Sequence, residues 1–401
     1  MKLPKLILSA FLTLTVAFPA ASAPAAYAVV TENDTSAIIS SSYEASSSIE
    51  AAAKDLRQHL RNRDTSFTVS VDKDAFDWGF PPESVMTDIE KIAELALADT
   101  GVPTEGDYIR WNFGGYQFKA KESGNVLNIE YTASYHTTAA QEKAVDSAVN
   151  EIISSLDIGK GSDLEKVHAV YDWLTSNVKY ADSIEDDRVF SAYGAAVQKK
   201  AVCQGYSVLA YRLLTELGVK CRVVPGTGNS DNHTWNLVNV DGKNYYFDAT
   251  WEAQTGAKEY IFLLRGKDDF DEFAGKNKHI FNEWEHDYSP LYVEYDNGSF
   301  EANYPVSSSA YKLPASYFSY SLGDIDSNGH IDSTDATYVL TAYSKLSTVG
   351  RSGLRPSRYY AADVDISGIV DSKDASWILG FYAFLSTGGN GTITEFMKNR
   401  R

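Results

Sequence analysis

The chain has 401 residues, two cysteines and a formal net charge of −18. So few cysteines exclude a disulfide-stapled scaffold, so the fold must bury a hydrophobic core, and the length allows two or three domains. The acidic balance argues against binding to nucleic acid or to an anionic membrane surface.

Residues 1–28 read as a secretory signal: Lys2 and Lys5 precede an apolar run over 6–18, and Ala26-Tyr27-Ala28 offers a small-x-small cleavage site. Ala21-Ser22-Ala23 is the poorer site because Pro24 would follow the cut. The apolar run is short for a spanning helix, and no later stretch is long and apolar enough to cross a membrane. The expected product is exported, with no membrane insertion. Loss of Lys2 and Lys5 takes the formal charge from −18 to −20. Residues 29–157 read as an α+β region. A Ser/Ala-rich stretch over 31–48, a flexible leader or a helix start, precedes helices over 50–61, 83–98 and 138–156. Strands are expected over 66–71, 108–120 and 126–135. No chemistry attaches to this region.

The next region, 158–300, opens with a helix over 164–178. After Cys203, apolar Val208, Tyr211, Leu214 and Leu217 recur at helical spacing, and Gly218 supplies the stop. Cys203 therefore sits near a helix start, where free N–H groups and the macrodipole favour a thiolate. Val-Lys-Cys-Arg-Val-Val around Cys221 reads as a buried strand; two cysteines in an exported chain invite a disulfide, but a bridge to Cys203 would block that thiol, so Cys221 is expected as a core thiol. His233 opens a further strand, 243–248 forms another, and Asp241-Gly242 is the tight turn between them. Such a hairpin sets His233 beside Asp248. Cys203 lies in Ala-Val-Cys-Gln-Gly-Tyr, His233 in Asn-His-Thr-Trp-Asn and Asp248 in Tyr-Tyr-Phe-Asp-Ala-Thr-Trp. A thiol, an imidazole and a carboxylate are the parts of a nucleophile, base and orienter relay. The backbone N–H of Cys203 is a candidate oxyanion donor.

With the upstream helix and the Lys-Tyr-Ala-Asp that follows it, these motifs resemble the bacterial transglutaminase-like superfamily over 160–265. That superfamily is related in architecture to papain-like cysteine peptidases. The resemblance implies an α+β core with the Cys helix packed on an antiparallel sheet. It also implies Cys203 as nucleophile, His233 as base and Asp248 as orienter. The family holds proteases, amidases, cross-linking enzymes and members with no known activity. The expected activity is that of a peptidase or amidase on a protein or peptide substrate, with no cofactor for catalysis. Cross-linking is one alternative; a non-catalytic cleft for peptides or cell-wall material is another. A glycoside hydrolase is weaker still, because no carboxylate pair is identifiable.

Residues 301–320, rich in Ser, Tyr and Pro, read as a linker. Beyond them Asp324-Ile-Asp-Ser-Asn-Gly-His-Ile-Asp-Ser-Thr-Asp335 recurs 39 residues on as Asp363-Val-Asp-Ile-Ser-Gly-Ile-Val-Asp-Ser-Lys-Asp374. Each loop offers calcium a set of oxygens around a glycine that permits a sharp turn. The expected ligands are Asp324, Asp326, Asn328, His330 (through its carbonyl), Asp332 and Asp335. In the second loop they are Asp363, Asp365, Ser367, Ile369 (carbonyl), Asp371 and Asp374, giving two Ca2+ ions. Downstream, Ala336, Val339, Leu340 and Tyr343 map onto Ala375, Ile378, Leu379 and Tyr382 as a core-forming stripe. Asp in place of Glu at the twelfth position, and the lack of a strong helix before each loop, resemble dockerins. This small all-α calcium-binding domain would span 321–388, with 389–401 a C-terminal tail. The resemblance implies docking into a cohesin domain of a scaffoldin, as in an extracellular cellulosome. Ser333, Thr334, Ser372 and Lys373 occupy the positions that help choose the partner.

Overall fold

In the computed structural model, alternating apolar residues fold the N-terminal region into a sheet of order β1-β3-β4-β2. The strands are β1 (Leu12–Leu14), β2 (Ser66–Asp72), β3 (Phe113–Ser123) and β4 (Val126–Tyr135), all antiparallel. The structure describes residues 12–14, 45–76, 83–158, 160–256, 259–283, 292–296 and 298–400. Apart from Leu12–Leu14, the expected secretory signal lies outside the described residues, as does most of the Ser/Ala-rich stretch. Phe67, Val69 and Val71 of β2 share one buried face with Leu127, Ile129 and Tyr131 of β4. Helices α1 (Ile49–Asn62) and α2 (Glu83–Ala96) contribute to the same core. On α1, Ala52, Leu56 and Leu60 stand four apart and make one apolar stripe.

The strand expected over 108–120 begins only at Phe113, because a helical turn, α3 (Asp107–Trp111), occupies its start. All five residues of α3 are buried. A helical turn puts positions i and i+3 on one face, whereas a strand sets them on opposite faces. Asp107 and Arg110 can thus enter one charge cluster. Asp107 accepts from Arg222 Nε at 2.8 Å, from Arg222 Nη2 at 3.1 Å and from the Val223 amide at 2.8 Å. Glu294 meets Arg110 at 2.8 Å and Arg222 at 2.7 Å. Tertiary electrostatics override the local strand preference.

Helices α4 (Ala139–Leu156) and α5 (Asp163–Asn177) each begin with a reciprocal capping box, Thr138 with Gln141 and Ser162 with Glu165. Short parallel strands β5 (Lys179–Tyr180) and β6 (Lys200–Ala201) lead to α6 (Cys203–Glu216). Helix α6 is buried nearly all round, through Tyr206, Val208, Leu209, Tyr211, Leu213 and Leu214 among others. Gly205 permits its close approach to the preceding segment, since a Cβ there would lie 2.5 Å from the Val189 carbonyl oxygen. Beside α6 runs an antiparallel sheet of β7 (Cys221–Gly228), β8 (Asp231–Val240), β9 (Lys243–Phe247) and the strand His279–Phe281, which pairs with β7. Asp241 and Gly242 take the left-handed φ values, 52° and 77°, that a tight hairpin requires. Helices α7 (Ala249–Thr255), α8 (Val293–Asp296) and α9 (Ser299–Asn303) follow.

Contacts divide the chain into one unit of Met1–Gln254 with Lys278–Ser307 and a second of Thr255–Asn277 with Ser308–Arg401. The second unit contains α10 (Ser333–Val349), α11 (Pro356–Ala362), α12 (Ser372–Ser386) and α13 (Ile393–Lys398). Helix α11 precedes the second acidic loop, where no helix was expected; Pro356 starts it with a preset φ. The segment 389–401, read as a tail, carries α13, whose Ile393, Phe396 and Met397 enter the core with Val339, Ile378 and Phe381. Only half of the expected apolar stripe faces that core. Ala336, Val339, Ala375 and Ile378 are buried, whereas Leu340, Tyr343, Leu379 and Tyr382 are exposed. The buried face of α10 runs instead through Ala336, Val339 and Ala342. The segment 301–320, read as a linker, includes part of α9, a bridge from Val306 to Asn244, and buried Leu313 and Phe318.

Removing one partner of a buried charge cluster leaves the others uncompensated, a loss of about 3–5 kcal/mol. Asp107→Ala should therefore lower the stability of the first unit by that order in urea unfolding of the full chain. An unchanged midpoint would show that Arg222 and Arg110 need no carboxylate at this point.

Candidate active site

Cys203 is the first residue of α6, and its N-cap, Val202, supplies no side-chain hydrogen bond. The thiol is half-buried, with His233 and Thr234 near enough to favour its ionised form. Two bonds pin α6 to the strand carrying His233. Ser207 Oγ donates to the Thr234 carbonyl at 3.0 Å, and Asn236 Nδ2 donates to the Ser207 carbonyl at 2.9 Å. His233 lies on β8, and Asp248 directly follows β9, so the hairpin brings them together. His233 Nε2 is 2.9 Å from Asp248 Oδ2, which leaves Nδ1 for the thiol.

Asp248 is fully buried. Its Oδ1 accepts the amides of Thr250 at 2.8 Å and Trp251 at 3.1 Å, the capping pattern for the start of α7. Tyr171 on α5 donates to the Asp248 carbonyl at 3.1 Å and also meets Glu252 Oε2 at 3.0 Å. A second imidazole completes the set: His279 Nε2 lies 3.0 Å from Asp248 Oδ2. No motif singles out His279, which sits in a three-residue strand. Tyr180 is a second residue not singled out, although the Lys-Tyr-Ala-Asp around it was. The Trp251 ring stacks beside His233 at 5.3 Å between centroids, and Gly228 makes room for both. A Cβ at Gly228 would lie 2.8 Å from Trp251 and 3.0 Å from His233.

These contacts separate the protonation states. Burial pushes the Cys203 thiol up, but His233, through its hydrogen bond and charge, and Thr234 outweigh burial and leave it below the ordinary thiol value. Burial pushes His233 down, yet Asp248 and Cys203 raise it to about 10. Burial would raise the Asp248 carboxyl, but His233 and His279 hold it well below the usual carboxylate range. The contacts thus favour a thiolate beside an imidazolium over a neutral pair. The Tyr180 phenol is pushed up to about 12 by burial, then by the negative charge at Cys203, Asp248 and Asp231. Cys221 is the opposite case: burial drives its thiol far up, and both cysteines are free. Asn236 Nδ2 lies 3.5 Å from its sulfur.

In the second unit the two acidic loops fold alike. The carboxylates of Asp324, Asp326 and Asp335 converge within 4.8 Å of one another, as do those of Asp363, Asp365 and Asp374. Gly329 and Gly368 have φ of 86° and 85°, and their amides donate to Asp324 at 3.0 Å and to Asp363 at 2.8 Å. A donor set of oxygen alone, gathered around a left-handed glycine, fits a hard cation such as calcium. Asp332 and Asp371 are the N-caps of α10 and α12, accepting from the amides of Thr334 and Lys373. Asn328 and Ser367 donate their amides to Asp324 and Asp363. Isoleucine and histidine at the seventh position, Ile369 and His330, hydrogen-bond through backbone N–H to Ser367 and Asn328. Ser333 and Ser372 open the two helices, and Lys373 Nζ reaches Asp365 Oδ2 at 2.7 Å.

Residues 150–249, which contain Cys203, His233 and Asp248, match the model of the transglutaminase-like superfamily. The chain therefore carries a transglutaminase-like domain within a mixed α+β architecture. The kyphoscoliosis peptidase of Mus musculus is 31% identical to it over 31% of this chain and 22% of that protein. The Lim and transglutaminase domain protein ltd-1 of Caenorhabditis elegans is 29% identical over 31% of this chain and 20% of that protein. The chain spans about a fifth of the length of the curated relatives it matches. Among solved structures, that of a TGase aligns over 48% of this chain and 56% of its own, with 16% identity and a TM-score of 0.27.

Because His233 is the largest influence lowering the Cys203 thiol, its removal leaves burial opposed by Thr234 alone and raises that thiol. His233→Ala should slow iodoacetamide labelling of Cys203 at pH 7 by at least about tenfold, one pKa unit being tenfold in thiolate. Equal labelling rates in the variant and the wild type would remove His233 from the ion pair.

Proposed function

We propose that the first unit is a cysteine-dependent acyl-transfer enzyme that hydrolyses an amide bond in a protein or peptide. The observation that carries this reading is the line of groups from buried Asp248 through His233 to the Cys203 thiol, whose ionisation His233 favours. The thiolate attacks the amide carbonyl, and the Cys203 N–H at the start of α6 stabilises the developing oxyanion. His233 gives its Nδ1 proton to the departing amine, leaving a thioester on Cys203. It then takes a proton from water, whose hydroxide attacks the thioester and releases the acid and the thiolate. Cys203 is only half-buried, so water can reach the thioester, which favours hydrolysis over transfer to an amine.

We further infer that residues 321–388 are a dockerin that calcium folds, and that it attaches an exported protein to a cohesin on a scaffoldin. Two matched oxygen clusters support the calcium reading, with Asp335 and Asp374 buried at their centres. Bound calcium would neutralise carboxylates whose mutual repulsion otherwise opposes the turn. A protein partner is supported by the apolar side chains that α10 and α12 turn outward, Leu340 and Tyr343 on one and Leu379 and Tyr382 on the other. Export rests on the basic and apolar pattern of the first 28 residues.

Cys203→Ala should reduce turnover of a confirmed peptide substrate by at least about 10³-fold. Asp248→Asn should cost less than the roughly 10⁴-fold seen when the serine-protease orienter is amidated, because the thiol is already acidic. The Asp248 charge raises His233, so turnover in the wild type should fall on the alkaline side only near pH 10, as the imidazolium is lost. Asp248→Asn should move that limb downward. Full activity of the Ala variant, measured by product release, would sink the assignment.

For the second unit, chelating calcium from the full chain should abolish cohesin capture while peptide hydrolysis continues. Circular dichroism should report loss of helix from the second unit alone. Cohesin capture that survives chelation, or fewer than two bound calcium ions by calorimetry, would overturn the calcium reading.

A further inference from the structure

We propose that His279 is a positioning residue for acyl transfer, holding the Asp248 carboxylate through Nε2–H so that this carboxylate can aim His233 at the thiol. The inference rests on the acyl-transfer reading above and adds a fourth member to the relay. His279 lies outside residues 150–249, the stretch matched by the superfamily model. It arrives on its own strand, paired opposite Gly228 of β7.

The argument begins with the carboxylate. An ionised carboxylate is an acceptor with about four lone-pair sites. At Asp248 four donors meet them: the Thr250 and Trp251 amides on Oδ1, and the His233 and His279 imidazoles on Oδ2. Two amides on Oδ1 fix the carboxylate only by one edge. The second imidazole on Oδ2 fixes the other edge, so rotation about the side-chain bond would break bonds on both. Since Asp248 can only accept, His279 must carry a proton on Nε2 whatever its charge. Its side chain is almost wholly shielded from water, so no solvent competes for the bond. The Trp251 ring, 3.9 Å away between centroids, and the Trp235 ring at 5.1 Å hold the imidazole in place.

The other ionisable groups around this carboxylate come from four elements: Tyr171 on α5, Tyr180 on β5, Tyr206 on α6 and Glu252 on α7. Tyr171 bonds the Asp248 backbone carbonyl rather than Oδ2. Cys203 meets the relay only through His233. His279 is thus the group on Oδ2 that takes no part in proton transfer.

His279→Phe keeps a ring against Trp251 and deletes the donor; His279→Gln restores a donor. The Phe variant should lose about 10- to 100-fold in kcat at pH 7, the usual cost of removing the partner behind a functional ligand, with KM within about twofold. A less well-aimed imidazolium stabilises the thiolate less, so the acid limb of Cys203 alkylation should move up by about half a pH unit or more. The Gln variant should recover most of both. A folded Phe variant with wild-type kcat and an unmoved limb would overturn the proposal. A merely structural role would lower the melting temperature and leave the limb in place, which also counts against it. Should the Phe variant fail to fold, nitrogen-15 NMR of the wild-type histidines decides. A proton on His279 Nε2 supports the proposal, and one on Nδ1 overturns it. If wild-type Cys203 alkylates no faster than a free thiol, the acyl-transfer reading itself fails. If wild-type labelling is fast and the Phe profile is unaltered, only the role of His279 is lost.

Discussion

An ionised carboxylate with no access to solvent organises the first unit. Burying such a group costs several kcal/mol unless donors surround it. The donors at Asp248 come from separate parts of the chain: the first turn of α7, strand β8 and the strand His279–Phe281. Tyr171 adds a grip from α5 on the adjacent carbonyl. Each of these segments must be in place for the carboxylate to be tolerated at all. The requirement that stabilises the fold is therefore the requirement that aims the imidazole. Ser207 and Asn236 extend it by fastening α6 to β8, which sets the thiol against His233.

The candidate site was legible in the sequence because its parts lie in short motifs with local causes. Helical periodicity after Cys203 sets a helix start, and Asp241-Gly242 permits a hairpin that fixes the register of His233 against the strand before Asp248. His279 was not legible. It follows Asp248 by 31 residues and acts through a strand too short for periodicity to register. Helix α3 was misread for a related reason. Its apolar residues suit a strand, and what selects the helix is the pairing of Asp107 with Arg222, 115 residues away. Neither outcome has a local signal.

In the second unit the repeat was plain, but the choice of face was not. Each helix after a loop carries apolar residues around more than one side, and periodicity alone cannot say which side meets the core. Packing of α10 and α12 on each other, with α11 and α13 alongside, decides it, burying Val339 and Ile378 and leaving Leu340, Tyr343, Leu379 and Tyr382 to solvent. The halves also differ where the sequence says they should. Lys373 bonds Asp365 in the second loop, and Thr334, at the matching position of the first, has no ammonium to offer.

The chain leaves the first unit after Gln254, returns at Lys278 and departs again after Ser307. A ribosome therefore delivers Cys203, His233 and Asp248 well before His279. Thr255–Asn277 likewise emerges ahead of the residues from Ser308 onward with which it belongs. No single proteolytic nick sorts the polypeptide into its two units, because a nick after Ser307 strands 255–277 on the fragment that carries Cys203. Whatever separates them in evolution must move two pieces at once. Shuffling one unit onto a new neighbour is correspondingly harder here than for beads on a string.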